Sequence, residues 1–395
     1  MKKSHRLGIE ILQTLNNAGY EAYFVGGFVR DYLLRRETGD IDITTNARPD
    51  EVEALFDKVV ATGKAFGTMT IVQEGLHFEV TTYRRETTYD NHRHPDSIRF
   101  AKTLGEDLSR RDFTVNQLVM DKDGNIHDHH GGRDDLDNKR LRTIGDPAER
   151  FYEDALRMLR AFRFMAKLDF SMEEETRKAL TEQKHLIRKI SIERIQDELF
   201  KLFDAPNKQK ALKAMVETDF ASALYGHEAG FRKLSISPVI YGPLEAFSVL
   251  HIVDGLDLTL WRLPKKFVEA IKEIESLHMQ TDREPFTPEA LFHFGEKRCL
   301  QADTVNRIFG RKSQKKRIEH LEKTLPIRKV HDLPYRGAEI SKIVPKDKPH
   351  YIRLILDTLL KRVLNREVEN ERGALKEEAW RILQSLKESE NNGQL

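Results

Sequence analysis

The stretch Asp40-Ile41-Asp42-Ile43 decides how the chain is read. Isoleucine alternates with aspartate, the period-2 pattern of a half-buried strand. Residues i and i+2 of a strand face the same way, about 7 Å apart along the chain. Asp40 and Asp42 are therefore expected on one face while Ile41 and Ile43 enter a core. Hard oxygen ligands grouped like this suit Mg²⁺, which takes one or two carboxylates plus substrate phosphates rather than a full protein cage. An isolated Asp-x-Asp is also met at the solvated edge of a strand, so the surrounding sequence must choose.

Upstream, Leu7, Ile11 and Leu15 fall at helical spacing, with Gly19 as a stop signal. Residues 20–25 read as a strand, Gly26-Gly27 follows, and 28–34 restart a helix carrying Arg30 and Asp31. A strand, a glycine pair and a helix start form an anion site, because backbone N–H groups and the positive helix end point at the ligand. Glycine lets the ligand approach closely, and Arg30 on the first turn is within reach of a phosphate. A plain tight turn is the alternative. Downstream, Pro49 opens a helix, and 59–61, 69–72 and 77–83 read as strands. In the last of these Phe78 and Val80 face one side and Glu79 the other, which makes Glu79 a candidate third carboxylate or an ordinary surface residue. Residues 84–99 are polar and poorly periodic. They read as a mobile loop beside the carboxylate strand, able to close over a substrate, or as a solvated hairpin. Arg110-Arg111 are expected at the start of a helix, where two adjacent arginines suit a triphosphate. Asp112 and Asn116, four apart, would share a helical face and hold a ribose. Together with Gly26 and Arg110 they are the candidate ribose and phosphate contacts.

From about residue 147 the pattern turns helical and stays so. Leu156, Leu159 and Phe162 supply an apolar stripe. Asp154, Arg157, Arg160 and Arg163 recur every third residue, so neighbours in the series lie about 5–6 Å apart. A basic solvated face is one reading. The other comes from nucleobase chemistry. Cytosine and adenine present an exocyclic amino donor beside a ring-nitrogen acceptor, whereas uracil and guanine present a carbonyl acceptor beside a ring N–H. An aspartate accepting from the amino group, next to an arginine donating to the ring nitrogen, fits C and A and repels U and G. This is base-edge readout, and rejection comes from leaving buried polar groups unpaired. Ser191 is expected to cap a further helix that carries Glu193 and Arg194. Residues 307–317 form a basic cluster around Phe309, either a contact for a phosphate backbone or a solvated helix face. His127-Asp128-His129-His130 is not read as a metal site, because four consecutive residues cannot all converge on one ion.

The chain has 395 residues, enough for roughly two to four domains. It is 39% hydrophobic and 33% charged, which allows both a core and a soluble surface. The net charge of +2 hides a dense mixture of both signs, so a polyanion site must be a local patch. Cys299 is the only cysteine, which excludes a disulfide framework or zinc cluster and fits a reducing cytoplasm. No apolar signal-peptide region follows the basic start, and no stretch approaches the roughly 20 apolar residues of a membrane span.

Taken in order, these motifs resemble the class II tRNA nucleotidyltransferases, the bacterial CCA-adding enzymes, and their relatives the bacterial poly(A) polymerases. The resemblance is carried by Gly26-Gly27 with Arg30 and Asp31, by Asp40-x-Asp42, and by Arg110 through Asn116. Glu153-Asp154 with Arg157, Arg160 and Arg163, and Ser191-x-Glu193-Arg194, complete it. It implies an α+β fold: a nucleotidyltransferase head (five-stranded mixed sheet with helices) over 1–145, followed by all-helical neck, body and tail. The neck, 146–212, would select the nucleobase. The body would span 213–292, and the tail, 293–395, would bind tRNA. The resemblance implies Mg²⁺ at Asp40 and Asp42, with Glu79 as a third catalytic carboxylate. It implies ATP and CTP contacts at Gly27, Arg30, Arg111, Asp154, Arg157, Arg160 and Arg163. The implied reaction is template-independent CCA addition by two-metal, Mg²⁺-dependent nucleotidyl transfer. The tRNA 3′-hydroxyl attacks the α-phosphate of CTP or ATP in line, and pyrophosphate leaves. The implied partners are the tRNA 3′ end and its acceptor/TΨC region, CTP and ATP, with no membrane, a cytoplasmic location and a homodimer. Sister activities share the motifs: CC addition alone, A addition alone and polyadenylation. The full-length 84–99 segment favours the capacity to add A, and the short end after the last apolar helix argues against polyadenylation. His331-Asp332 has no companions for a phosphohydrolase site. A catalytically silent RNA-binding relative is the alternative of another class, and the intact Asp40, Asp42 and Arg111 speak against it.

Overall fold

The computed structural model describes residues 3–37, 40–87 and 97–391. The chain forms two compact units, Met1–Ser237 with Thr259–Arg262, and Pro238–Leu258 with Leu263–Leu395. Unit 1 opens with α1 (Lys3–Asn17), whose Leu7, Ile11, Leu12 and Leu15 are buried on one face. Strand β1 (Ala22–Val25) leads through Gly26 into α2 (Gly27–Leu33). Next come β2 (Asp42–Thr45), α3 (Pro49–Leu55), β3 (Val59–Gly63), β4 (Thr68–Gln73) and β5 (Leu76–Thr82). Pro49 stands at the first turn of α3, as expected.

Strands β6 (Arg84–Thr87) and β7 (Ser97–Phe100) pair antiparallel outside the main sheet. The two ends of the polar 84–99 segment are thus a hairpin, and residues 88–96 lie outside the described residues. Helix α4 (Leu104–Ser109) and the two-residue strands β8 (Val119–Met120) and β9 (Ile126–His127) follow. The sheet order is β3-β4-β5-β2-β1-β8-β9. The pair β2·β5 is parallel and its neighbours are antiparallel, so the sheet is mixed. The α+β class stands, but among the described residues the sheet has seven strands rather than five. Strands of two residues, such as β8 and β9, are too short for an alternating pattern to reveal.

Strand β2 lies inside the sheet, and its Ile43, Thr44 and Thr45 are fully buried. Its first residue, Asp42, sits where β1 ends and the chain turns into α2. After α5 (Gly132–Asp137), the helices α6 (Pro147–Glu153), α7 (Leu156–Leu168), α8 (Glu174–Gln183) and α9 (Ile192–Asp204) complete the part of unit 1 that builds the site. Helix α7 packs against α9, burying Leu156, Leu159 and Phe162 as their spacing required.

Unit 2 is helical. Its core includes Ile355, Leu359, Val363, Leu375, Ala379 and Leu383, drawn mainly from two helices, His350–Leu364 and Arg372–Asn391. Among the described residues no helix is long and apolar enough to cross a membrane.

Candidate active site

Asp42 opens β2 in register with Val25 of β1 on one side and Glu79 of β5 on the other. Register partners share a face of the sheet, so the Asp42 and Glu79 carboxylates are neighbours, which supports the reading of Glu79 as a third carboxylate over that of a plain surface residue. Asp40, expected on the strand with Asp42, lies in a bend before it and is exposed, because β2 begins only at Asp42. Burial, then the Glu79 charge, pushes the Asp42 carboxyl up to about 6; Asp40 adds to the rise and Arg111 opposes it. A half-buried carboxylate with two further carboxylates beside it calls for a cation. No group of three or more His, Cys, Asp or Glu that could hold a metal by itself is found among the described residues. A hard divalent ion held by one or two carboxylates and completed by substrate phosphates fits this donor set.

Gly26 connects β1 to α2 with φ +71°, a conformation that only glycine adopts freely. A Cβ there would stand 3.4 Å from Arg111 Nη1 and 3.8 Å from Asp42 Oδ2. A Cβ would meet both groups at ordinary contact distance, so it is the positive φ that reserves this position for glycine. Arg110 and Arg111 come at the end of α4, not at the start of a helix as expected. The start belongs to Thr103, whose hydroxyl accepts from the Glu106 N–H. The arginines are fixed by Asp107, which is fully buried. Its Oδ1 accepts from Arg110 Nε and Nη2 (3.0 and 2.8 Å), and its Oδ2 from Arg111 Nη2 (3.4 Å). The carbonyls of Arg110 and Arg111 accept from Arg150 Nη2 of α6 (2.6 and 2.7 Å). Arg111 Nε is buried with no hydrogen-bond partner among the described residues, a donor without an acceptor.

Arg30 on α2 is 2% exposed. Its Nε donates to Asp31 (2.8 Å) and its Nη1 to Asn116 Oδ1 (2.5 Å). Asp112 and Asn116 do meet, through Asn116 Nδ2 to Asp112 Oδ1 (3.0 Å), but across a short 3₁₀ turn at Thr114–Asn116 rather than along an α-helix. The other Asp112 oxygen accepts from Arg160 Nε (2.9 Å) and Nη2 (2.5 Å). Burial alone would raise Asp112, but the Arg160 charge, Asn116 and the Phe113 N–H hold its carboxyl well below the usual range.

The expected single helix through Asp154 is broken. Helix α6 ends at Glu153, and Asp154 takes φ −140° and ψ 100° before α7 begins at Leu156. Asp154 Oδ1 accepts from the Leu156 N–H (3.1 Å), a local bond that competes with helix continuation. Its Oδ2 accepts from Arg194 Nη2 of α9 (2.8 Å). Arg157, buried on the first turn of α7, donates through Nη1 to Glu153 (2.7 Å) and the Arg150 carbonyl (2.9 Å), and through Nη2 to the Arg110 carbonyl (3.1 Å). Arg163 Nε donates to Glu198 of α9 (2.5 Å). Ser191 sits at the N-cap of α9, but its side chain makes no capping bond.

These side chains converge on one cavity of about 420 Å³. It is lined by Gly26, Gly27, Arg30, Asp42, Arg110, Arg111, Asp112, Asn116, Asp154, Arg157, Arg160 and Arg163. Of the expected residues, Asp40 and Glu79 are not in its wall; they flank Asp42 at its edge. Two lining residues escaped the sequence reading, Phe164 and Lys167. Lys167 continues the basic spacing of α7 by one more turn, so that pattern alone marks it. Phe164 gives no such signal. Its ring lies beneath three guanidinium groups, with Arg163 at 4.1 Å, Arg160 at 5.4 Å and Arg30 at 5.5 Å. Six arginines and a lysine face three aspartates across this cavity, an excess of positive charge that suits a polyphosphate. The basic cluster of unit 2 divides its residues. Arg311 is held inside by the His278 carbonyl, Asn306 and Asp282. Arg307, Lys312, Lys315 and Lys316 are exposed.

The chain matches the family model of the Poly A polymerase head domain over residues 22–142. It matches the RNA- and SrmB-binding segment of polymerase A over 169–225, and tRNA nucleotidyltransferase domain 2 over 255–379. It is 37% identical to a CCA-adding enzyme of Geobacillus sp. (strain WCH70), over 99% of this chain and all of that protein. It is 38% identical to a CCA-adding enzyme of Bacillus pumilus (strain SAFR-032), over 93% of this chain and 95% of that protein. The crystal structure of the Bacillus stearothermophilus CCA-adding enzyme in complex with CTP is similar along 99% of this chain and 100% of that one, with a TM-score of 0.86 and 34% identity. With residues of four of its five motifs lining one cavity and these likenesses running end to end, the chain belongs to the CCA-adding enzyme family of tRNA nucleotidyltransferases.

Proposed function

We propose that this chain adds C, C and A to the 3′ end of tRNA without a nucleic-acid template, using CTP and ATP and releasing pyrophosphate. The observation that carries the reading is the cavity whose wall joins Asp42 to seven cationic side chains and to the Asp154–Arg157 pair. Nucleotidyltransferases of this family use divalent metals, and in this reading the ion is Mg²⁺, held by Asp40 and Asp42 with Glu79 reinforcing their charge. When bound, the ion supplies charge neutralisation at the α-phosphate and a more acidic 3′-hydroxyl. Gly26, Gly27 and Arg111 receive the triphosphate beside Asp42, and Arg30, Arg160 and Arg163 add cationic contacts. Asp154 and Arg157 read the base edge. Positioning and electrostatics carry the catalysis, and no side chain acts as a covalent nucleophile. Residues 1–145 serve as the catalytic head, 146–212 as the base-selecting neck, 213–292 as a body and 293–395 as the tail that holds tRNA. A cytoplasmic site of action follows from that substrate.

The test is a tRNA transcript trimmed to its discriminator base. It is incubated with the protein, Mg²⁺ and each nucleotide alone or together, and product lengths are read on a sequencing gel. Addition of three nucleotides with CTP plus ATP, and none with UTP or GTP, is the expected result. A stop after two, or long A tails, would replace the reading with CC addition or polyadenylation. Bound tRNA with no product would replace it with a silent RNA-binding relative.

A further inference from the structure

An ionised carboxylate only accepts hydrogen bonds. It accepts from the ring N–H of uracil or guanine as readily as from the amino group of cytosine or adenine. An aspartate that reads the base edge therefore discriminates only if it is held opposite the amino position and cannot slide to the ring position. Asp154 is held from two directions. The Leu156 N–H takes Oδ1 at 3.1 Å, and Arg194 Nη2, forty residues further along the chain, takes Oδ2 at 2.8 Å. The second Arg194 nitrogen, Nη1, is buried and has no hydrogen-bond partner among the described residues, so this side chain is not placed to satisfy itself. One turn further along α9, Glu198 is 4% exposed and accepts from Arg163 Nε at 2.5 Å, with Arg160 Nη1 at 3.5 Å. Residues four apart share a helix face. A single face of α9 thus grips both Asp154 and the cationic stripe of α7, and it locks the break between α6 and α7 in one conformation.

We propose that Arg194 is a specificity-determining positioning residue, which fixes the Asp154 carboxylate opposite the exocyclic amino group of the incoming nucleotide. The proposal rests on the reading of Asp154 and Arg157 as the base-edge pair. Each carboxylate oxygen has two lone pairs, so the oxygen held by Arg194 keeps one for the nucleobase. Without Arg194 the carboxylate turns about its Cβ–Cγ bond, retained only by the Leu156 N–H, and the distinction between an amino group and a ring N–H is lost.

The experiment uses the full chain and its variants Arg194→Met, Arg194→Lys and Asp154→Asn. It measures kcat and KM for single addition of CTP and of UTP to a tRNA transcript ending at its discriminator base. Thermal unfolding checks each variant. Arg194→Met is expected to lower the CTP-over-UTP ratio in kcat/KM about tenfold or more, the scale on which a pocket contact discriminates, with the KM for tRNA unchanged. Arg194→Lys, which keeps one cationic donor, should fall between the wild type and Arg194→Met. Equal losses for both nucleotides, leaving the ratio intact, would overturn the proposal and make Arg194 a packing contact. If Arg194→Met does not fold, Arg194→Lys decides: a ratio within about twofold of wild type overturns the proposal as well. Asp154→Asn separates the two layers of the reasoning. If it leaves the ratio unchanged, the base-edge reading itself fails. If it collapses the ratio and Arg194→Met does not, only the positioning role fails.

Discussion

Replacing Asp107 by Asn removes one negative charge from a fully buried position and leaves the side-chain shape intact. Five donors meet this carboxylate. Arg110 Nε (3.0 Å), Arg110 Nη2 (2.8 Å) and the Arg84 N–H (3.2 Å) reach Oδ1, and Arg111 Nη2 (3.4 Å) and Thr44 Oγ1 (3.2 Å) reach Oδ2. An asparagine keeps one acceptor oxygen, turns an NH₂ toward the other donors and leaves two guanidinium groups without their counter-charge. Removing one partner of a buried ion pair costs about 3–5 kcal/mol. The arginine side chains are 13% and 19% exposed, so water recovers part of the loss and the lower end, about 3 kcal/mol, applies. For a unit the size of unit 1 that corresponds to a fall in Tm of about 6–12 °C. The assay is calorimetric unfolding of wild type and variant across pH. Burial would raise the Asp107 carboxyl, but Arg111 and Arg110 outweigh it and hold it below its ordinary value. A depressed carboxylate contributes stability that is complete above its unfolded value, near 3.9, and is lost as pH falls through the lower folded value. The gap between the two proteins should therefore be constant from about pH 6 to pH 8 and close only below about pH 4. A fall smaller than about 2 °C at pH 7 would refute the idea that Asp107 anchors the arginine pair.

Asp42→Asn carries the opposite sign. Because the folded protein raises this carboxyl to about 6, the group favours folding while protonated and loses that contribution as pH rises through about 6. Without divalent ions the Asn variant should unfold at a higher temperature than wild type above pH 6 and at the same temperature below about pH 4. Added Mg²⁺ should stabilise only the wild type, and nucleotide transfer by the variant should be abolished while tRNA binding persists. Identical melting profiles for the two proteins, with and without Mg²⁺, would argue against a cation site there. Gly132→Ala would place a Cβ 2.3 Å from the Thr114 carbonyl oxygen, at the turn that carries Asn116. A main-chain clash of this kind should cost about 1–3 kcal/mol, read as a lower Tm; an unchanged Tm would show that the turn yields freely.

The residues legible in the sequence are those whose role follows from local periodicity. Alternation put Glu79 on the polar face of its strand and Ile43, Phe78 and Val80 in the core, and the structure agrees; that Glu79 stands beside Asp42 follows from the parallel pairing of β2 with β5. Helical spacing marked the buried stripe of α7, and the glycine pair marked the turn beside Asp42. The errors fall at element ends. Arg110-Arg111 close a helix instead of opening one, because Thr103 takes the cap. Asp154 stands in a break, because its carboxylate bonds the N–H two residues on. Asp107 was passed over altogether, since a buried aspartate among polar neighbours has no periodic signature until its arginines are folded against it.

The sequence by itself determined Asp42 at a strand and Glu79 on the polar face of another, the basic stripe of α7, the helical second half and the family resemblance. The first three depend on which residues recur at a spacing of two, three or four, which backbone geometry sets, and the family resemblance depends on the order of the motifs along the chain. Only the tertiary structure decided that Asp154 answers to Arg194, that Asp112 holds Arg160, that Glu198 holds Arg163, and that Phe164 lies beneath three arginines. These partnerships join residues on different elements. An ion pair or a ring contact has no fixed sequence separation, and it forms only where packing of the apolar faces brings two elements within a few ångströms.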